Sequence, residues 1–502
     1  MLAKNTKLPV SQSFLNFLQY VHYASIYMLG TLSIIIIVTI LINYLNNNNT
    51  ISLTWLNKIK TLTAINLGSL FVTLLIKISF GLWLLKKHEL NLALNLSKYF
   101  KYKLPIGTWL IDLNGSLLSD SIVVLCFISG FVCLYLLGDR NISRYAPNIT
   151  YFSFFFLATV CMVYTTNILS MFISFELIFL PTIYYAYQLG YVAKSDKATR
   201  YLLYWTLTGA FIVLMSIGYI YVKYNTLSYN QLIKCKFTEK EQLYLSLFIF
   251  IGFGIKIPVF PFHFWLTKIH VESPAGFSIF LSGFLVKGAL FCFFILSTIL
   301  YNDTLAMIVE IIALIGMLET SLKMWTQTDI KKLIAFATIQ EMNMILLILI
   351  LRQNSLEYAM ILFILVHGLL STLMFFLVDI IQKKAETRNI VILAGLHYKF
   401  PQVRSFIWII ILIFSGFPLT VKFVVEWYVV LTLFSQALLL AIISFIIINV
   451  IGLIGFSRQM IIVLFGYPKP RIQTFNGMSK RDYYLCYFIM FFLICLQGLI
   501  FF

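Results

Sequence analysis

Charge is scarce in this sequence. Only 11% of its 502 residues are Asp, Glu, Lys or Arg, 61% are hydrophobic, and mean hydropathy is +0.92. A soluble domain of that size could not cover its surface with polar groups. The composition therefore predicts an all-α polytopic membrane protein, because a helix satisfies its own backbone where no water can. Motifs of soluble chemistry are missing too. There is no Gly-x-Gly-x-x-Gly, no Walker A loop, and no Ser, His and Asp set that the expected helices would bring together. The seven cysteines are scattered through mostly apolar runs, with no Cys-x-x-Cys and no metal-ligand spacing. They read as small core hydrophobes, which argues against iron–sulfur or zinc chemistry in this chain. Acidic residues number 19 against 37 basic ones, a net charge of +18. In a soluble protein that excess would suggest nucleic acid. Here the basic residues sit in short loops with no interleaved exposed aromatics, so no nucleic-acid partner is expected and the bias is topological. The opening MLAKNTKLPVSQS lacks both the Arg-rich amphipathic pattern of a transit peptide and the tripartite pattern of a signal peptide.

The long apolar runs define about fourteen membrane helices: 25–45, 64–85, 115–137, 148–168, 170–188, 200–222, 243–261, 275–298, 302–322, 332–351, 356–381, 404–431, 434–458 and 483–502. The fourth and fifth are separated only by Tyr164-Thr165-Thr166-Asn167. Of the 37 Lys and Arg, the N-terminal tail and even-numbered loops hold twelve, the odd-numbered loops twenty-one, and the spans four (Lys77, Lys256, Lys287 and Lys422). That asymmetry places both termini on the non-cytoplasmic side, or the intermembrane-space side in a mitochondrion. The seventh and twelfth helices are broken, at Pro258 and at Gly416-Phe417-Pro418, and each carries a lysine near its break. Helices five apart with matching breaks suggest two five-helix repeats, and an odd number of helices per repeat inverts the second. The expected units are 1–145 (helices 1–3), 146–300 (helices 4–8), 301–460 (helices 9–13) and 461–502 (a loop and helix 14).

A charge at bilayer depth costs about 2.5–3.5 kcal/mol on insertion scales, so each buried one is a functional candidate. Lys256 lies two residues before Pro258, which has no N–H and frees a carbonyl one turn earlier. Such a break is tolerated only against protein or a water-filled cavity. The bland alternative for Lys256 is snorkelling to the interface; Lys287 is too central for that. Glu176 has no local basic partner, so it either pairs with a lysine from another helix or takes up a proton. A fixed ion pair that only specifies packing is the alternative. His367 sits alone in an apolar span, where a relay and a satisfied structural histidine are both open. Lys422 and Glu426 are four apart on one helix face and so placed to pair. His263, His270 and Glu272 fit no metal spacing. Glu310, Glu319, Asp120 and Lys77 read as packing or accessory residues.

Five stretches carry a resemblance. KIPVFPFHFWLTKIHVESP resembles the region of subunit 4 of respiratory complex I, the NADH–ubiquinone oxidoreductase, that runs from a lysine through a PFH-aromatic-W-L run to HVEAP. Its ending separates that family from the sister subunits 2 and 5. SFELIFLPTIYY is similar to the family's W/F-E-L-x-L-x-P run, with Glu176 at the key glutamate. QTDIKKLIAFATIQEMN, residues 327–343, resembles the family's QTD-L-K-x-L-I-A-Y-S-S signature, but Glu341 stands where the family usually has histidine. VHGLLSTLMFFLVDIIQKK is similar to the family's HGL-x-S stretch and carries His367. In FPLTVKFVVEWY, Glu426 matches the family's glutamate while Lys422 replaces its asparagine. The resemblance covers roughly residues 140–460; the ends match only in hydropathy.

What the resemblance implies is an antiporter-like, proton-translocating subunit of the membrane arm, in the mitochondrial inner membrane, beside the antiporter-like subunits 2 and 5 and membrane lipids. It implies no cofactor in this chain: NADH, FMN, iron–sulfur clusters and ubiquinone would be bound by other subunits. Glu176, Lys256, Lys287, Glu341, His367, Lys422 and Glu426 would carry the protons. The rivals are a subunit of a Mrp-type cation/proton antiporter and a structural arm subunit that does not pump, the latter supported only by the departures at Glu341 and Lys422.

Overall fold

The computed structural model describes residues 102–106, 109–113, 116–138, 145–189, 192–352, 354–467 and 477–498. The first two expected spans and Lys77 lie outside the described residues, so the count of fourteen helices is not settled by them. What is described is a bundle of apolar helices, as the hydropathy requires. The one departure is a short antiparallel ladder, β1 (Tyr102–Ile106) on β2 (Trp109–Leu113), with Ile106 opposite Trp109.

The helices follow the expected spans closely. They are α1 (Leu117–Gly138), α2 (Tyr145–Tyr164), α3 (Ile168–Leu189), α4 (Val192–Tyr224), α5 (Glu239–Lys256), α6 (Phe264–Glu272), α7 (Ala275–Phe280) and α8 (Val286–Ile299). After them come α9 (Asp303–Trp325), α10 (Ile330–Leu351), α11 (Asn354–Ala385), α12 (Pro401–Phe414), α13 (Val421–Ser435), α14 (Leu439–Phe465) and α15 (Lys480–Gly498). Six are long and apolar enough to cross a membrane: those over Asp196–Tyr224, Ala275–Ile299, Asp303–Trp325, Ile330–Leu351, Leu356–Ala385 and Leu439–Phe465. Starts are set by caps. Thr238 and Glu241 form a capping box ahead of α5, Asn302 caps α9, and the Asp329 carboxylate accepts from Lys331 N (2.8 Å) at the head of α10.

Both expected breaks are present. The seventh span ends as α5 at Lys256, with α6 following beyond its expected end at residue 261, and the twelfth divides into α12 and α13. α2 and α3 separate at 165–167, where Ile168 N donates to the Leu227 carbonyl (3.0 Å) and Tyr229 N to the Thr166 carbonyl (2.9 Å), tying two loops together at one end of the bundle. At the opposite end Ile330 N donates to the Arg388 carbonyl (3.1 Å), Ile390 N to the Thr328 carbonyl (2.8 Å), and Arg388 Nη1 to the Val271 carbonyl (2.6 Å). The loop expected over 382–403 there holds two short helical turns, Ile390–Leu393 and Leu396–Lys399.

The core lies around α10 and α11, each of which has an 18-residue stretch buried throughout. In α4 and α14 only 33% of the corresponding stretch is buried. Their outer faces are apolar and exposed, carrying residues such as Phe211 and Leu440. α4 and α5 cross at Gly209 and Gly252, where a Cβ on Gly209 would stand 2.6 Å from the Gly252 carbonyl. Only glycine permits that approach, and it fixes where α5 sits against α4.

Candidate functional site

Pro258 sets the first half of the site. Having no N–H, it leaves the Gly254 carbonyl to Val259 N (3.0 Å), and α5 stops at Lys256. The Ile255 carbonyl accepts from Trp265 Nε1 (2.8 Å) across the break. The aromatic run after the prolines thus supplies a partner that the broken helix lacks. Lys256 is fully buried, and its Nζ donates to Glu176 Oε1 on α3. The ammonium also lies over Phe175 (4.8 Å), Phe179 (5.0 Å) and Phe172 (5.9 Å), ring faces on the same helix as its partner. Glu176 keeps 25% of its side chain exposed, so the pair opens on one side only.

Lys287 comes next. One π turn, Leu281–Leu285, interrupts the helix before it, and Lys287 Nζ donates to the Ser282 carbonyl that the turn presents. Ser282 Oγ and Thr338 Oγ1 (3.2 Å) join this segment to α10. Lys287 and Glu341 on α10 interact electrostatically.

Glu341 is 3% exposed and central to the second half. One oxygen pairs with Lys422 Nζ at 3.2 Å; the other faces His367 Nε2 at 3.6 Å. Lys422 also donates to the Phe414 carbonyl (2.7 Å) at the end of α12 and sits over the Phe414 ring (4.0 Å). The expected Lys422–Glu426 pair is not formed: Lys422 turns inward to Glu341 on another helix. Glu426, half-buried, instead lies against the backbone of the second break, where a Cβ on Gly416 would meet Glu426 Oε2 at 2.8 Å. Gly416 has φ +65°, a conformation L side chains avoid, so this turn requires glycine twice over.

The two Glu–Lys pairs span nearly equal lengths of chain, 80 residues from Glu176 to Lys256 and 81 from Glu341 to Lys422. Each joins an unbroken helix to a lysine at a break.

This buried row has two further members, one unnamed in the sequence analysis and one considered there only as a metal ligand. Lys331 is 2% exposed, and its Nζ donates to the Ser273 carbonyl (2.5 Å). Its position beside Asp329 and Lys332 looks like a solvated helix start. His270, set aside with the metal question, is fully buried and stacks on Phe375 (4.7 Å, 15°), in electrostatic reach of both Lys287 and Lys331. His263, His270 and Glu272 do not converge as a ligand set, since His263 turns toward Glu319.

Residues 165–452, which include every one of these groups, match the family model described as NADH:quinone oxidoreductase/Mrp antiporter, TM. The chain is 34% identical to NADH-ubiquinone oxidoreductase chain 4 of Paramecium tetraurelia over 406 residues, 80% of this chain and 83% of that one. Its fold is similar to that of a chain of respiratory complex I from Thermus thermophilus (TM-score 0.72, 14% identity, covering 94% of this chain and 96% of that one). It is equally similar to that of a chain of the Mrp complex from Dietzia sp. DQ12-45-1b (TM-score 0.72, 15% identity, covering 90% and 81%). The fold is thus common to both kinds of complex, whereas the more extensive sequence identity is with chain 4. The chain belongs to the NADH:quinone oxidoreductase/Mrp antiporter membrane family and, within it, to the NADH-ubiquinone oxidoreductase chain 4 proteins.

Proposed function

We propose that this chain translocates protons in the membrane arm of NADH:ubiquinone oxidoreductase, through Glu176, Lys256, Lys287, Glu341, His367, Lys422 and Glu426. The observation that carries the reading is the pair of buried Glu–Lys contacts with Lys287 and His367 between them. A buried ion pair balances two desolvation costs against one attraction, so a further charge nearby can tip it. When Lys256 leaves Glu176 and turns toward Lys287, two buried cations face each other, and Lys287 gives up its proton. Glu341 lies within electrostatic reach of Lys287 and is already shared between Lys422 and His367, so the disturbance passes into the second half. Glu426, at the second break, is placed to release the proton. No bond changes other than N–H and O–H.

Redox energy is supplied elsewhere in this reading. NADH, FMN, iron–sulfur clusters and ubiquinone belong to other subunits, and this chain holds no redox centre. It lies in the mitochondrial inner membrane beside antiporter-like subunits 2 and 5, with loop 382–403 in the matrix and residues 146–300 and 301–460 as two inverted repeats. The near-equal 80- and 81-residue spacings support the repeats. The non-pumping alternative rested on the departures at Glu341 and Lys422. These two residues contact each other, so they read as one compensated exchange and that support is lost. The Mrp alternative is weaker because the 34% identical relative is a chain 4. The test is to isolate the chain from its native membrane. Co-purification with NADH dehydrogenase activity and NADH-driven pumping is expected; a complex that exchanges cations for protons without NADH oxidation overturns the reading.

A further inference from the structure

Glu319, read from sequence as a packing or accessory carboxylate, anchors a second cluster outside the buried row. It lies on α9 less than two turns before that helix ends at Trp325. Its Oε1 accepts from Lys323 Nζ one turn on, and its Oε2 faces His263 Nε2 at 3.3 Å. His263 is 1% exposed and set between the rings of Phe260 (6.4 Å) and Phe264 (4.3 Å). Both its ring nitrogens are buried without a hydrogen-bond partner, as is Glu319 Oε2, so the contact between them is electrostatic. Lys323, 32% exposed, lies over Phe264 (4.8 Å) and Phe336 (5.6 Å). The cluster therefore runs inward from a partly exposed cation, through a carboxylate 24% exposed, to an enclosed imidazole.

Its place in the fold gives this order a direction. His263 ends the break that begins after Lys256, so it stands between that lysine and α6. The nearby end of α9 is the one where the 326–329 turn meets Arg388 and Ile390, the end assigned above to the matrix. An i, i+4 Lys–Glu pair on a helix surface needs no histidine to form. A buried imidazole with one nitrogen facing a carboxylate and neither nitrogen engaged in a hydrogen bond can take a proton on one side and release one on the other.

We propose that Lys323, Glu319 and His263 form the matrix-side port that reloads Lys256 with protons. Lys323 stays paired with Glu319 between events. Glu319 takes a proton from matrix water and passes it to His263 Nε2. His263 releases the proton on Nδ1 across the break to the neutral amine that Lys256 presents once it has passed its own proton to the emptied Lys287. Glu319 is an anion again, the ring turns over, and one proton has entered for each one passed forward. This rests on the proton-translocating reading.

The test uses the purified, assembled complex in proteoliposomes, measuring protons pumped per electron alongside NADH oxidation with an artificial acceptor. The variants are Glu319→Gln, Glu319→Asp, His263→Gln and, as reference, Lys256→Ala. Glutamine keeps the shape and hydrogen bonding of Glu319 but binds no proton. Glu319→Gln and His263→Gln are each expected to lower pumping at least twofold with acceptor activity kept, and Glu319→Asp to recover most of the loss. Wild-type pumping in Glu319→Gln, or equal loss in the Gln and Asp variants, overturns the port. Should Glu319→Gln not assemble, wild-type pumping in His263→Gln decides against it equally. If Lys256→Ala loses pumping while Glu319→Gln does not, only the port falls. If both pump normally, the proton-translocating reading falls with it.

Discussion

Glu176 and Lys256 each lie in an apolar span, and each is the other's ion-pair partner. Glu176→Ala and Lys256→Ala are each expected to abolish most NADH-driven pumping while NADH oxidation with an artificial acceptor persists. The double variant is expected to be no worse than either single one, because members of one switch are not additive. Pumping per electron in assembled complex checks this, and normal pumping in either variant would reduce the pair to a packing feature. That pairing was legible because both residues lacked any local partner. The second pair was not. Lys422 sits one turn from Glu426, and the local i, i+4 rule pointed there; a tertiary partner on α10 won instead. The correction changes an expectation. With Lys422 in contact, Glu341→His alone sets an imidazole beside an ammonium and should pump poorly. Glu341→His with Lys422→Asn restores the family's residues at both positions and should pump better than Glu341→His by itself. Equal pumping in the two variants would mean that Lys422 does not sense Glu341.

At the scale of elements, the breaks were readable because proline and glycine dictate them, whereas the groups that mend them come from distant side chains. Trp265 was visible as part of a motif, but its indole bond to the Ile255 carbonyl was not. Trp265→Phe keeps the ring's bulk and removes that donor. It should cost about 1–3 kcal/mol for an unsatisfied buried carbonyl, seen as a lower thermal midpoint of the purified complex. An unchanged midpoint would show that the carbonyl finds another donor. The β1–β2 hairpin and the helical turns inside 382–403 also escaped the sequence reading. Each is shorter than a hydropathy window, and neither has the length that makes a span conspicuous.

For the whole molecule, the basic asymmetry carries a prediction of orientation. Loop 382–403, with Lys383, Lys384, Arg388 and Lys399, is expected to be cut by protease in inside-out vesicles and protected in intact mitoplasts. The reverse pattern would invert the orientation and move the Glu319 port to the other side. The bundle was legible as a whole because membrane spans announce themselves by length and composition, whereas enclosure does not. Nothing in the hydropathy distinguished α10 and α11, buried throughout their central stretches, from the largely exposed α14. The π turn at Leu281–Leu285 bears on heredity as well as on geometry. A single π turn holds one residue more than the α-helix it interrupts. Losing one residue there would close the turn into plain α-helix and remove the widened backbone that presents the Ser282 carbonyl to Lys287. Substitutions along this segment can leave that turn in place, whereas the loss of a single codon would abolish it and with it the carbonyl that Lys287 meets.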